Sequence, residues 1–194
     1  KTIHAPEGAN LRETASSNGF PVPGLCWHRK LTPTGACRLC VVKIEGMRGL
    51  VTSCTVKVRD GMKVTAFDSE LEDTRKLLLE YLLYEHNDSY DNTYNDELRE
   101  LLIRYKLDKP ENRSLKPVWQ TMNFKADESS PVLAYDPSKC IKCFRCIKAC
   151  DEVQGKNVLS FTDRGINSFI IAGRGIWGES ECDGCGECIQ LCPT

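Results

Sequence analysis

The sequence has no long hydrophobic run. Its most leucine-rich stretch, Leu77-Leu78-Leu79-Glu80-Tyr81-Leu82-Leu83, is too short to span a bilayer and contains a carboxylate. No signal peptide opens the chain, so nothing points to an oxidising compartment and a cytoplasmic setting is expected. Neither sign of charge is in excess: the formal net charge is −1 and the pI about 6.4, which gives no electrostatic case for nucleic acid. No G-x-G-x-x-G opens a helix, and P-loop, nucleophile-elbow and H-E-x-x-H signatures are missing. Gly173-Arg174-Gly175 is short and lacks a third glycine. No catalytic site is therefore expected within the chain. His4 and His28 have no evident partners in the sequence and read as surface or locally hydrogen-bonded residues.

What is abundant is cysteine, with 12 in 194 residues. The length is ample for cores without covalent staples, so the cysteines do not compensate for a missing core. They fall into three groups of four with none left over: Cys26, Cys37, Cys40 and Cys54; Cys140, Cys143, Cys146 and Cys150; Cys182, Cys185, Cys188 and Cys192, followed by Pro193. The last two groups share the spacing C-x2-C-x2-C-x3-C, an internal repeat.

That spacing suits a cubane cluster. Three thiolates wrap one face from a tight loop, and the fourth, expected at the start of a helix, points away to a second cluster. The expected assignment is Cys140, Cys143, Cys146 and Cys192 to one [4Fe–4S] cluster, and Cys182, Cys185, Cys188 and Cys150 to another. Zinc sites pair two C-x2-C units across a longer loop, which these runs lack. Closely spaced cysteines in such loops also bridge one another poorly. The first group has the order of a plant-type [2Fe–2S] site, a loop Cys, then C-x2-C, then a distant Cys, with a longer first gap. Gly24 and Gly35 are expected to let backbone approach the cluster. A four-cysteine zinc site is the competing reading here, and spacing alone leaves it open.

Residues 1–68 read as short strands around one helix at Asn10 to Ser17, with strands over Leu39 to Ile44 and Leu50 to Thr52. A hairpin is expected from Thr55–Val58 to Lys63–Phe67 through a glycine turn at Gly61. Lys1-Thr2-Ile3-His4 reads as the end of a first hairpin whose preceding strand is absent. Residues 69–130 read as a helical linker. It opens on a capping box at Ser69-Glu70-Leu71-Glu72, with an apolar face of Leu71, Leu78 and Leu82 that Arg75 interrupts. A second helix is expected from Asp96 to Tyr105, with Leu98, Leu101, Leu102 and Tyr105 inward, then a connector anchored by Trp119. Residues 131–194 hold the repeated motifs, with paired strands at Asn157–Phe161 and Ser168–Ala172. The fold class is α+β: a β-grasp, [2Fe–2S] ferredoxin-like domain, a helical linker, and a two-[4Fe–4S] ferredoxin-like domain.

This order of motifs resembles the N-terminal iron–sulfur region of the large subunit of bacterial complex I. The same region is found in NAD-linked formate dehydrogenases, in iron-only hydrogenases and in the small diaphorase subunit of NAD-reducing hydrogenases. The run Cys150-Asp151-Glu152-Val153-Gln154-Gly155 and the pair Arg164-Gly165 look nearest to the formate dehydrogenase branch. The resemblance implies an electron-relay module with one [2Fe–2S] and two [4Fe–4S] clusters in a hetero-oligomeric oxidoreductase. Its implied partners are a flavin/NAD(P)-binding iron–sulfur subunit and a further redox subunit or domain. The chain ends just after Cys192, so it is expected to be either a small relay subunit or the front of a longer catalytic subunit. A zinc-binding scaffold is the alternative of another class.

The sequence departs from that family at one place. Many members hold a further cluster through H-x3-C-x2-C-x5-C. Here His86 stands at the histidine position, but the next three are Tyr90, Thr93 and Arg99. His86 alone cannot hold a cubane, so this cluster is expected to be missing, and His86 to interact with a helix C-terminus. Either the linker folds so that the other centres lie closer, or a partner supplies a cluster. Lys139, Lys142, Arg145 and Lys148 interleave the first cubane motif, whereas Glu179, Glu181, Asp183 and Glu187 flank the second. The second is therefore expected at the lower potential. Three oxidised clusters would take the formal charge of −1 to about −7.

Overall fold

A computed structural model of the chain describes residues 1–87, 96–118 and 124–194. Tyr90, Thr93 and the expected anchor Trp119 lie outside the described residues. The architecture is α+β, with two small antiparallel sheets and short helices.

Helix α1 covers Leu11–Ser17, and Asn10 caps it by accepting from Glu13 N at 3.1 Å. The first sheet has the order β2-β1-β3, with β1 at Val41–Ile44, β2 at Val51–Thr52 and β3 at Val64–Thr65. Val41 faces Thr52 and Lys43 faces Thr65 across antiparallel ladders. The expected hairpin does not form: β3 pairs with β1, and residues 56–58 pair with the chain entering α1. A 3-10 turn at Ser53–Thr55 causes the difference. Ser53 donates from both its backbone N and its hydroxyl to Cys40 O, which turns the following chain toward residues 8–11.

Helix α2 covers Ser69–Glu85. Its cap is Asp68 rather than Ser69, because the Asp68 carboxylate accepts from Leu71 N at 2.9 Å and also pairs with Lys43 at 2.8 Å. The expected apolar face is one step out of register. Leu71, Arg75, Leu79 and Leu83 are the buried row, and Leu78 and Leu82 are only partly covered. Arg75 does not interrupt this row but completes it. It is 0% exposed and donates to Leu39 O at 3.3 Å, Val41 O at 2.7 Å and Ala66 O at 2.7 Å, while Glu72 offsets its charge. One guanidinium thus ties α2 to β1 and to the end of the first sheet.

Helix α3 covers Glu97–Arg104, capped by Asp96, with Leu98 and Leu102 buried and Leu101 and Tyr105 packed against them. The second sheet pairs β4, Leu159–Thr162, with β5, Phe169–Ala172, in the register Leu159 to Ala172. The repeated motifs contribute α4, Arg145–Lys148, and α5, Glu187–Gln190. Each helix begins after a residue in the left-handed region, Phe144 at φ 67° and Gly186 at φ 78°. The helices therefore start before the third cysteine of each motif, not at the fourth as the spacing suggests. Cys150 sits in a π-turn over Ala149–Val153 that continues α4.

One apolar core joins the parts. Leu25, Cys26, Cys37 and Leu39 of the first region pack with Leu79 and Leu83 of α2, Leu98 and Leu102 of α3, and Ile141 and Cys143 of the repeat region. A smaller cluster joins Leu31 to Ala149 and Leu191.

Candidate metal centres

The first four cysteines come together. Cys26, Cys37, Cys40 and Cys54 are all buried. Cys26 contacts Cys37 and Cys54, and Cys54 also contacts Cys40. The loop from Cys26 and the turn at Ser53–Thr55 deliver them, and Leu25 N donates to Cys37 Sγ at 3.3 Å. The hydrogen bond from Cys54 outweighs burial and brings Cys40 down to about 6. Gly35, at φ +67°, has the left-handed backbone expected of a ligand loop. Gly24 is small for another reason: a Cβ there would meet Arg12 Nε at 3.0 Å.

The repeat region makes two further groups, and they cross. Cys150 lines one cavity with Cys182, Cys185 and Cys188, closed by Leu133, Leu159 and Trp177. Cys192 acts electrostatically on Cys140, Cys143 and Cys146. Lys142 is held at φ 55°, and its N donates to Cys140 Sγ at 3.3 Å. Val158 N donates to Cys150 Sγ at 3.3 Å as well. Burial pushes the Cys143 thiol up to about 12 and the Cys188 thiol up to about 11. Cys185 and Cys192 are exposed.

These groups suit iron–sulfur clusters by their donors. Every contributing side chain is a thiol, and backbone N–H groups already point at sulfur in each region. Two buried N–H groups near the cysteines, Arg145 Nε and Trp177 Nε1, have no protein acceptor. Sulfur acceptors of a cluster would meet that need. Among the described residues, no group of three or more His, Cys, Asp or Glu closes to the spacing of a single metal ion.

The long first cysteine gap has a structural use that the sequence does not disclose. Residues between Cys26 and Cys37 dock on the repeat region. Lys30 pairs with Glu187 at 3.1 Å, and Thr32 N donates to Glu152 at 2.7 Å. Burial opposes ionisation of Glu152, but hydrogen bonds from Lys148 and Thr32 outweigh it and hold it at about 2. Trp27 O accepts from Arg145, and α3 adds Glu97 to the same guanidinium. The unusual gap length is the one available signal.

The charge contrast between the two cubane motifs is smaller than the sequence implies. Lys142 pairs with Glu85, Arg145 with Glu97 and Lys148 with Glu152. On the other side, Asp183 pairs with Lys156 and Glu187 with Lys30. His86 is the C-cap of α2, at the helix end expected from the sequence, and it is buried. Arg99, at the last position of the family histidine motif, is a residue of α3. His28 makes a local contact, accepting from Lys30 N at 3.3 Å.

Residues 1–68 match the family described as a 2Fe-2S iron-sulfur cluster binding domain. Residues 130–194 match the NADH-quinone oxidoreductase subunit 3, ferredoxin-like domain. A NADH-quinone oxidoreductase subunit of Rhizobium meliloti is 29% identical over 197 residues, covering all of this chain and 22% of that protein. The alpha subunit of NADPH-Fe(3+) oxidoreductase of Geobacter sulfurreducens is 31% identical over 205 residues, with all of this chain again spanning 22% of its length. The chain thus spans about a fifth of these longer relatives. It covers 82% of the gamma subunit of NAD-reducing hydrogenase HoxS of Cupriavidus necator, at 29% identity. A crystal structure of NAD+-reducing [NiFe]-hydrogenase in the H2-reduced state superposes with TM-score 0.88 at 28% identity, covering 100% of this chain and 82% of that one. Residues 1–68 and 130–194 thus match two iron–sulfur domain families, and over its whole length the chain is similar to the iron–sulfur region of NADH-quinone oxidoreductase and NAD-linked hydrogenase subunits.

Proposed function

We propose that this chain relays single electrons through one [2Fe–2S] cluster, held by Cys26, Cys37, Cys40 and Cys54, and two [4Fe–4S] clusters. The first cubane would be held by Cys140, Cys143, Cys146 and Cys192, the second by Cys150, Cys182, Cys185 and Cys188. The observation that carries this reading is the crossing of the repeat: Cys150 shares a cavity with the cysteines of the other motif. The clusters would supply one-electron carriage, and full thiolate ligation leaves no open coordination site for substrate. The chain's own residues bind, order and shield. Leu25, Leu39 and Ile141 exclude water between the first group and Cys143. Backbone N–H groups of Leu25, Lys142 and Val158 steady the sulfurs.

The shared core supports a relay that works without a histidine-ligated cluster. The linker helices bring Cys26, Cys37 and Cys143 into one apolar cluster, so the two regions meet directly. The reading places the chain in a hetero-oligomeric, cytoplasmic oxidoreductase, between a flavin/NAD(P)-binding subunit and a further redox centre. The 22% span of the longer relatives favours a second context, the front of a longer catalytic subunit; the 82% span of the hydrogenase relative favours a small relay subunit. Among the described residues, no helix is long and apolar enough to cross a membrane.

The test is metal analysis of anaerobically purified protein with low-temperature EPR. About ten irons with matching labile sulfide, and three distinguishable reduced signals, are expected. A colourless protein holding zinc would remove the relay reading.

A further inference from the structure

Among the described residues, Arg145 contacts the first region, the linker helix α3 and the end of the repeat region. It lies between Cys143 and Cys146, yet it is only 2% exposed. It donates to Trp27 O at 2.7 Å, next to Cys26, and to Leu191 O at 3.2 Å, next to Cys192. Its guanidinium also grips Glu97 of α3 with both terminal nitrogens, at 2.5 and 2.9 Å. Its Nε is buried without a protein acceptor. Its charge acts on the Cys143 and Cys26 thiols, one from each neighbouring group. Burying a cation costs several kcal/mol unless it is paired, and Glu97, itself 49% exposed, is a solvated partner. Four contacts from one guanidinium to three segments need the reach and the forked donors of arginine, and they hold the charge beside the Cys26 and Cys143 sulfurs.

We propose that Arg145 is a positioning residue of the junction between the [2Fe–2S] site and the first cubane site, and that with Glu97 it sets the potentials of both. The proposal rests on the relay reading. The geometry has two consequences. The clasp on Trp27 and Leu191 fixes the Cys26 loop against the Cys192 segment. The buried cation favours the added negative charge of reduction at both sites, and Glu97 trims that effect. The second cubane site, at Cys150, Cys182, Cys185 and Cys188, lies outside the clasp and is an internal reference.

The experiment is an EPR-monitored redox titration of the holo protein carrying Arg145→Gln or Glu97→Gln. Removing the cation should lower the reduced-to-oxidised ratio of the [2Fe–2S] and first cubane sites at fixed potential by about tenfold, equivalent to about 59 mV for one electron. Removing the carboxylate should raise the same ratio, by about threefold because Glu97 is half in water. The second cubane should shift in neither variant. Opposite signs are the discriminating result, since general loosening would move both variants the same way. Glu97→Gln preserves size and the two carbonyl contacts of Arg145, so it decides the matter even if Arg145→Gln fails to load its clusters. Three normal signals with no differential shift, or equal shifts at all three, overturn this proposal alone. A wild-type protein without the signals overturns the relay reading and this proposal together.

Discussion

The first cysteine group and the repeated groups present the same ligand type in different settings. Cys26, Cys37, Cys40 and Cys54 are all buried, gathered from a loop, the approach to a strand and a 3-10 turn. The repeat region gathers its cysteines from two short loops that each lead into a one-turn helix, and leaves Cys185 and Cys192 exposed. A site built from distant segments needs a folded sheet around it before its thiols meet. A site built from C-x2-C-x2-C is mostly local, and tertiary structure has only to supply the fourth thiol. The first group is thus a product of its fold, whereas the repeat groups are products of loop conformation plus one crossing contact each.

The largest break in this comparison comes from the crossing. Cys150→Ser should cost about four irons and erase one cubane signal, that of the site otherwise formed by Cys182, Cys185 and Cys188, while the signal of the Cys140 site persists. Loss of the Cys140 signal instead would show ligation within each motif. The next effect targets the fold-dependent site. Arg75→Leu should destabilise the protein by roughly 3 kcal/mol, because three carbonyls and the Glu72 carboxylate lose their partner. Thermal or chemical unfolding would measure it, and cluster loss on heating should begin with the [2Fe–2S] signal. If both cubanes are lost first, the dependence of the first group on its sheet is refuted.

The smallest effect probes the contact between the regions. Glu152 is held at about 2, below its ordinary carboxylate value, by Lys148 and Thr32. A depressed carboxylate contributes stability above its unfolded pKa and loses it as pH falls through the folded value. Glu152→Gln should therefore lower Tm slightly at pH 7, with the gap from wild type closing between about pH 4.5 and 2. Apo protein keeps acid-labile clusters out of this measurement. A gap that persists at low pH would mean that Glu152 acts by shape and not by charge. Glu152 is exposed, so the effect should stay under about 1 kcal/mol.

Much of the site is legible because it is written in spacing. The proposed grouping of all twelve cysteines rests on C-x2-C-x2-C-x3-C and on the order of the first four. The strand pair at 159–162 and 169–172 and the helix Glu97–Arg104 also fall within a residue or two of the spans read from the sequence. The pairing within the first region is not, because Ser53 reaches back to Cys40 O, a contact thirteen residues away that no local pattern carries. The face of α2 escapes for a related reason. Arg75 breaks an apolar series in sequence, yet carbonyls of Leu39, Val41 and Ala66 make its burial favourable.

By itself, then, the sequence determined the cysteine positions, their spacing in fours and the absence of thiolates after His86 at the family spacing. Those are covalent facts, independent of how the chain turns. Only the tertiary structure decided how the groups face one another. It put Cys26, Cys37 and Cys143 in one apolar core, turned the long gap after Cys26 into a docking loop, and buried Arg145 where loop, helix and motif converge. Such proximity depends on packing between residues more than a hundred positions apart, and hydrophobic burial is non-directional, so no local pattern records which surfaces will meet.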